Sequence, residues 1–235
     1  MKPDFRTAKL MAVIFTPEFS ITDRLAIANA VQTISGGRFN GEFISVPVAQ
    51  DAAPEIPRII LTSKDGTWKF EVSLLRSNLT FFQPANLAVN VPTVVSFGKF
   101  AGSFFSLYQK SINAKAAKLG FVTEKFMPLD REKPSGMIVK KFCNEHFAQK
   151  VFDNTEAFEL HSLKKYPFDR FHINSWVKFK SAKLANKART PIILVENDIN
   201  TYMEGQEGAD FKADDIMTFF SAIPDHLESI SALFF

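Results

Sequence analysis

Only one cysteine, Cys143, stands in the 235 residues. That excludes a disulfide within the chain and any metal cage built on thiolates, and a reducing compartment follows as the default. No stretch approaches the roughly eighteen apolar residues that read as a membrane-spanning helix. The start, Met1-Lys2-Pro3-Asp4-Phe5-Arg6, leads into a run, Leu10–Phe15, too short for a secretory leader. These absences predict a cytoplasmic protein with no membrane partner. A net charge of +3 is too small to imply nucleic acid by itself. There is no GxGxxG or GxxxxGK[ST] loop, no HExxH, no CxxC and no GxSxG. The cheap arguments for a catalyst, a cofactor or a metal are therefore missing, and none of the three is predicted.

Tryptophan and tyrosine are scarce, 2 and 3, whereas phenylalanine reaches 26. A phenylalanine ring is large, apolar and without hydrogen-bonding atoms, so it belongs in a dry core or on an apolar contact surface. The composition predicts a Phe-rich interior together with a Phe-lined surface for a protein partner or an apolar ligand.

The order of elements is stated twice. Ala8–Phe15 reads as a buried strand. Thr22-Asp23 offers a helix cap, Gly36-Gly37 a stop, and Arg38–Val46 a further strand. Arg58–Ser63 and Thr67–Leu74 flank Lys64-Asp65-Gly66, a tight hairpin turn, and Asn78–Gln83 continues the meander. The helix Thr93–Ala117 carries Phe97, Phe100, Ala101, Phe104, Phe105 and Tyr108 on one stripe. Then the order repeats: a strand at Leu119–Met127, an ambiguous Met137–Phe152, strands at Ala157–Tyr166, Phe171–Lys183 and Pro191–Tyr202, and a loop at Gly205–Gly208. The closing helix, Asp214–Phe235, keeps Ile216, Phe220, Ile223, Leu227, Ile230 and Phe234 in phase across Pro224, where a kink is expected. The pattern predicts a single α+β domain of two pseudo-repeats, about 8–117 and 118–235. Its sheet is mainly antiparallel, with long amphipathic helices packed on one face.

Four groups of residues are candidates for function. If strands pair about Pro167-Phe168-Asp169, then Glu159, His161, His172, Asn174, Trp176 and Lys178 share one face and form a polar ligand site; a slip of one residue would scatter them. Lys178, Lys180, Lys183, Lys187 and Arg189 follow one another with no acid between them, a pattern that can track a phosphate backbone or simply guard an exposed strand. Cys143 and His146 would share a helix face three residues apart, as a thiol and its base must, although a cysteine among phenylalanines is more often a buried hydrophobe. Glu196-Asn197-Asp198-Ile199-Asn200-Thr201 is rich in hard oxygen donors but lacks calcium-loop spacing.

Pro57-Arg58-Ile59-Ile60-Leu61-Thr62-Ser63, then Asp65-Gly66, and Asp198-Ile199-Asn200-Thr201 before a Phe-ended helix carry a resemblance. In these strings and in its order of elements the chain resembles a sporadically distributed family of uncharacterised bacterial proteins of about this length. The resemblance spans nearly the whole chain. It implies a bacterial cytoplasmic protein without established catalysis, and it carries over no site residues.

Taken together, the sequence favours a non-enzymatic binding protein over two other readings. One is nucleic-acid binding through the basic hairpin 176–189. The other is a hydrolase using Cys143 and His146, or the His161/His172 face. The C-terminal Leu233-Phe234-Phe235 allows a homodimer by docking into a neighbouring copy.

Overall fold

The structure, a computed structural model, describes residues 5–17, 19–49, 51–83, 90–129, 132–185, 188–202 and 209–232. The Gly205–Gly208 loop, Lys187 and Leu233-Phe234-Phe235 lie outside them. Among the described residues the first half of the chain runs β1 (Arg6–Phe15), α1 (Arg24–Ile34), β2 (Phe43–Ser45), β3 (Ile59–Thr62), β4 (Trp68–Val72), β5 (Arg76–Phe82) and α2 (Val94–Ile112). The second half runs β6 (Lys118–Pro128), α3 (Pro134–Phe142), α4 (Glu145–Lys150), β7 (Glu159–Phe168), β8 (Phe171–Lys183), β9 (Pro191–Thr201) and α5 (Ala213–Ser231).

These strands make one sheet in the order β2-β3-β4-β5-β1-β6-β9-β8-β7. Every neighbouring pair is antiparallel. The fold is therefore α+β on an antiparallel sheet, as its pattern of alternation predicts. In each half the first strand pairs with the last strand of the meander, and the two first strands, β1 and β6, meet at the centre.

Local chemistry sets the element ends. Asp23 caps α1 by accepting the Ala26 N–H at 2.9 Å. Gly36 and Gly37 end it at φ 61° and 74°, where side chains other than glycine are strained. Thr93 caps α2 in the same way as Asp23 caps α1, and Asn113 stops it in the left-handed region at φ 50°. The expected strand Arg38–Val46 shrinks to Phe43–Ser45. Residues 38–42 are instead a loop stitched to the β3–β4 hairpin by Gly41 N–H to Thr62 O (2.9 Å) and Lys64 N–H to Asn40 Oδ1 (2.9 Å). The ambiguous Met137–Phe152 resolves into two short helices, α3 and α4. Pro134 opens the first, and Asn144 caps the second.

The phenylalanines are mostly interior. Phe39, Phe70, Phe81, Phe97, Phe104, Phe105, Phe121, Phe179, Phe219 and Phe220 are all fully buried. Most of them interlock edge-to-face in a core beneath α1, α2 and α5. A smaller core of Met127, Ile138, Val177, Phe179, Ile193 and Val195 lies under α3. The Phe-lined outer surface expected from composition is not made of these rings. Among the described residues, Phe43, Phe82 and Phe147 are the exposed phenylalanines, and each stands on a different element.

Helices α2 and α5 run antiparallel: Gly98 meets Phe220 and Pro224, Gly102 meets Met217, and Ser106 Oγ donates to Ala213 O at 2.8 Å. A methyl group at Gly98 would overlap both the Pro224 ring and the Phe220 carbonyl oxygen. That carbonyl is the one a helix would normally offer to residue 224, whose proline nitrogen has no hydrogen to give. That oxygen comes close to Gly98, where no side chain stands in the way, a site for a weak C–H···O contact.

Thr123 and Asn197 are opposite each other across β6 and β9 on the helix-covered face. Both are 1 % exposed, and neither the Thr123 hydroxyl nor the Asn197 amide has a hydrogen-bond partner among the described residues. A buried polar group left unpaired costs about 1–3 kcal/mol. Asn197→Leu is therefore expected to raise stability by about that amount in urea unfolding. A fall would show that something other than the chain bonds the amide.

Candidate functional site

Alternation fixes what each sheet face carries. Leu10, Phe81, Thr123, Asn197 and Val177 belong to the covered face, which packs against α1, α2, α3 and α5. Among the described residues no helix lies on the other face. All six residues singled out for a polar ligand site, Glu159, His161, His172, Asn174, Trp176 and Lys178, lie on that uncovered face. The register is the reason: Glu159 pairs with Lys180, His161 with Lys178, and Pro167 with His172, about the turn Asp169-Arg170.

They do not converge on one point. His161 and His172 sit six residues apart along the hairpin, roughly 20 Å at the rise of a strand. A two-imidazole catalyst is therefore not assembled here. The face is organised as rows running across β1, β6, β9, β8 and β7. One row is charged: Lys9, Glu124, Glu196, Lys178 and His161. Its two central carboxylates face each other, which is unfavourable, and each is answered on its outer side. Lys9 Nζ lies 3.0 Å from Glu124 Oε1, and Lys178 Nζ lies 2.5 Å from Glu196 Oε1. The bond to Glu196 holds the Lys178 ammonium above the usual lysine range. The next row is Met11, Val122, Asp198, Trp176 and Leu163, apolar but for one carboxylate. A third contains Asn200 and Asn174, joined by an amide bond of 3.1 Å from Asn174 Nδ2 to Asn200 Oδ1.

The basic stripe reads differently in three dimensions. Lys178 is tied to Glu196, and Lys180 Nζ lies 3.9 Å from Glu159 Oε2. The acids that β8 lacks are supplied by β7 and β9. Lys183 and Arg189 are exposed near the β8–β9 turn. Glu196–Thr201 splits between the faces, with Glu196, Asp198 and Asn200 outward and Asn197, Ile199 and Thr201 inward. It is a strand, not a chelating loop. Among the described residues no group of three or more His, Cys, Asp or Glu is placed to hold a metal ion.

The Cys143–His146 pairing requires correction. Cys143 ends α3 with extended backbone, φ −99° and ψ 147°, and His146 belongs to α4 beyond the Asn144 cap. The two do not share a helix face. His146 is exposed and stands edge-on to the Phe147 ring.

Lys9 and Met11 on β1 and Val122 and Glu124 on β6 also belong to this face, and nothing in their local sequence marks them for it. The alternation in both strands is visible, but only strand order brings them beside Trp176. No helix in the described residues is long and apolar enough to cross a membrane. No family model matches the chain, and neither a curated protein nor a solved structure matches it.

Proposed function

We propose that the protein is a non-enzymatic binding protein that receives a protein partner on the uncovered face of its sheet. The supporting observation is the row Met11, Val122, Asp198, Trp176 and Leu163, apolar but for Asp198 and bordered by the charged row Lys9, Glu124, Glu196, Lys178 and His161. Methionine and tryptophan are enriched at protein interfaces, and a central tryptophan within a polar surround is a common energetic anchor. A protein partner suits this face better than an apolar small molecule, because the phenylalanines are committed to the core. Nucleic acid fits less well, since Lys178 and Lys180 already have carboxylate neighbours. We read the protein as cytoplasmic, in keeping with its single thiol. We also read its halves as copies of one unit, for which the matching strand connections speak.

Photo-crosslinking in cells of the source organism tests this. A crosslinker at Leu163, 42 % exposed on the uncovered face, is expected to trap a defined protein. One at Leu107, 51 % exposed on α2, is not. Trp176→Ala should weaken that complex by roughly 2 kcal/mol with the fold intact by circular dichroism. Equal trapping from both positions would overturn the proposal.

A further inference from the structure

A second surface lies where loop 38–42 meets the β3–β4 hairpin. The loop is held firmly. Phe39 is fully buried against Phe70 and Phe104. A Cβ at Gly41 would sit 2.7 Å from the Ser63 carbonyl carbon and oxygen, so only glycine lets the two backbones approach this closely. Glu42 N–H donates to Thr62 Oγ1 at 3.1 Å. This anchoring aims Arg38 at two rings: its guanidinium carbon lies 4.3 Å from the Trp68 ring centroid and 4.2 Å from that of Phe100. The two rings stand at 79° to each other, so the guanidinium can lie flat on no more than one of them, and its five N–H donors are not all spent on ring contact, which leaves N–H edges available.

Those edges have no carboxylate partner among the described residues, and neither does the Lys64 ammonium. Both line a shallow hollow of about 550 Å³ with Asn40, Ser63, Asp65 and Trp68. Asp65 is the one acid among these lining residues, and it serves the turn. Its Oδ1 accepts from Ser63 Oγ (2.6 Å), Thr67 N–H (3.0 Å) and Thr67 Oγ1 (2.8 Å). The hollow thus offers two cations against one carboxylate already hydrogen-bonded. The amide nitrogen of Asn40 remains a donor while its oxygen holds Lys64 N–H.

We propose that this hollow binds an oxyanion, the phosphate or carboxylate group of a small ligand, through the N–H edge of Arg38 with Lys64 as the second cation. An arginine fork matches such groups with two parallel hydrogen bonds, and here the fork is held in place before the ligand arrives. This inference is independent of the sheet-face proposal.

The test uses the full chain with Trp176→Phe, which leaves Trp68 as the reporting indole. Inorganic phosphate, pyrophosphate and acetate are titrated at constant ionic strength. A saturable change in Trp68 fluorescence is expected, and whether the phosphates or acetate give the tighter curve identifies the ligand class. Arg38→Gln should weaken binding roughly tenfold or more, Arg38→Lys should also weaken it, and Lys64→Gln should weaken it less than Arg38→Gln. No saturation with any of the three anions, or unchanged affinity in Arg38→Gln, overturns the proposal. Should Arg38→Gln fail to fold, Lys64→Gln decides, and unchanged affinity there overturns it.

Discussion

Gly98→Ala is expected to destabilise the protein by about 3 kcal/mol, the upper range for overpacking, although it adds one methyl group. In an exposed helix the same change would help, because alanine is the better helix former. Here the methyl meets the Pro224 ring and the Phe220 carbonyl, and a backbone carbonyl cannot rotate away as a side chain can. Helices α2 and α5 must separate, which loosens the packing of Phe105 on Phe220, now stacked at 5.5 Å. Urea unfolding monitored by circular dichroism checks this. The informative partner is Pro224→Ala. It removes the ring and returns an N–H to residue 224, so the Phe220 carbonyl has a donor in its own helix. The double variant should therefore be more stable than the sum of the single effects predicts, the signature of directly coupled sites. Strict additivity would mean that the close approach at Gly98 does not control how these helices meet.

Phe70→Ala is expected to cost about 3–5 kcal/mol, lowering Tm by roughly 10 °C for a chain of this length. Phe70 is fully buried on β4. Its ring meets those of Phe39, Phe104, Phe105 and Tyr108 at centroid distances of 5.9, 5.0, 6.2 and 5.1 Å. It thus joins the loop after α1, the sheet and α2, and three elements lose contacts together when it goes. The cavity left behind cannot close easily, because Tyr108 is also fixed by its hydroxyl, 3.0 Å from Ser77 Oγ. Burial holds that phenol well above the usual tyrosine range. A loss under 1 kcal/mol in thermal unfolding would show that the aromatic cluster repacks freely.

Periodicity found the elements whose chemistry is local. The stripe Phe97 to Tyr108, the Asp65-Gly66 turn, the Asp23 cap and the three C-terminal strands are all set by side chains close to one another in sequence. Register about the β7–β8 turn was not legible: the turn expected at Pro167-Phe168-Asp169 is made by Asp169-Arg170 instead, and it is that register which sets the six polar residues on one face. Arg38–Val46 was misread because Phe39, which looks like one tooth of a strand, is a plug inserted into a distant core. Met137–Phe152 stayed ambiguous because its two helices are short and break at Cys143. Strand order, and with it the joining of β1 to β6, depends on contacts more than a hundred residues apart. Gly98 and Gly102 look like weak points of a helix until their neighbour is known.

The meeting of β1 and β6 at the middle of the sheet also governs how the chain is made. β1 is synthesised first and gains β5 on one side once residue 82 is available. Its other edge has no mate until Pro128 has emerged. At roughly 5–20 residues per second that interval lasts about 2–9 seconds. Throughout it, a nascent polypeptide displays the unpaired backbone of Leu10 to Ile14, so co-translational guarding of that edge is a demand this topology places on the cell.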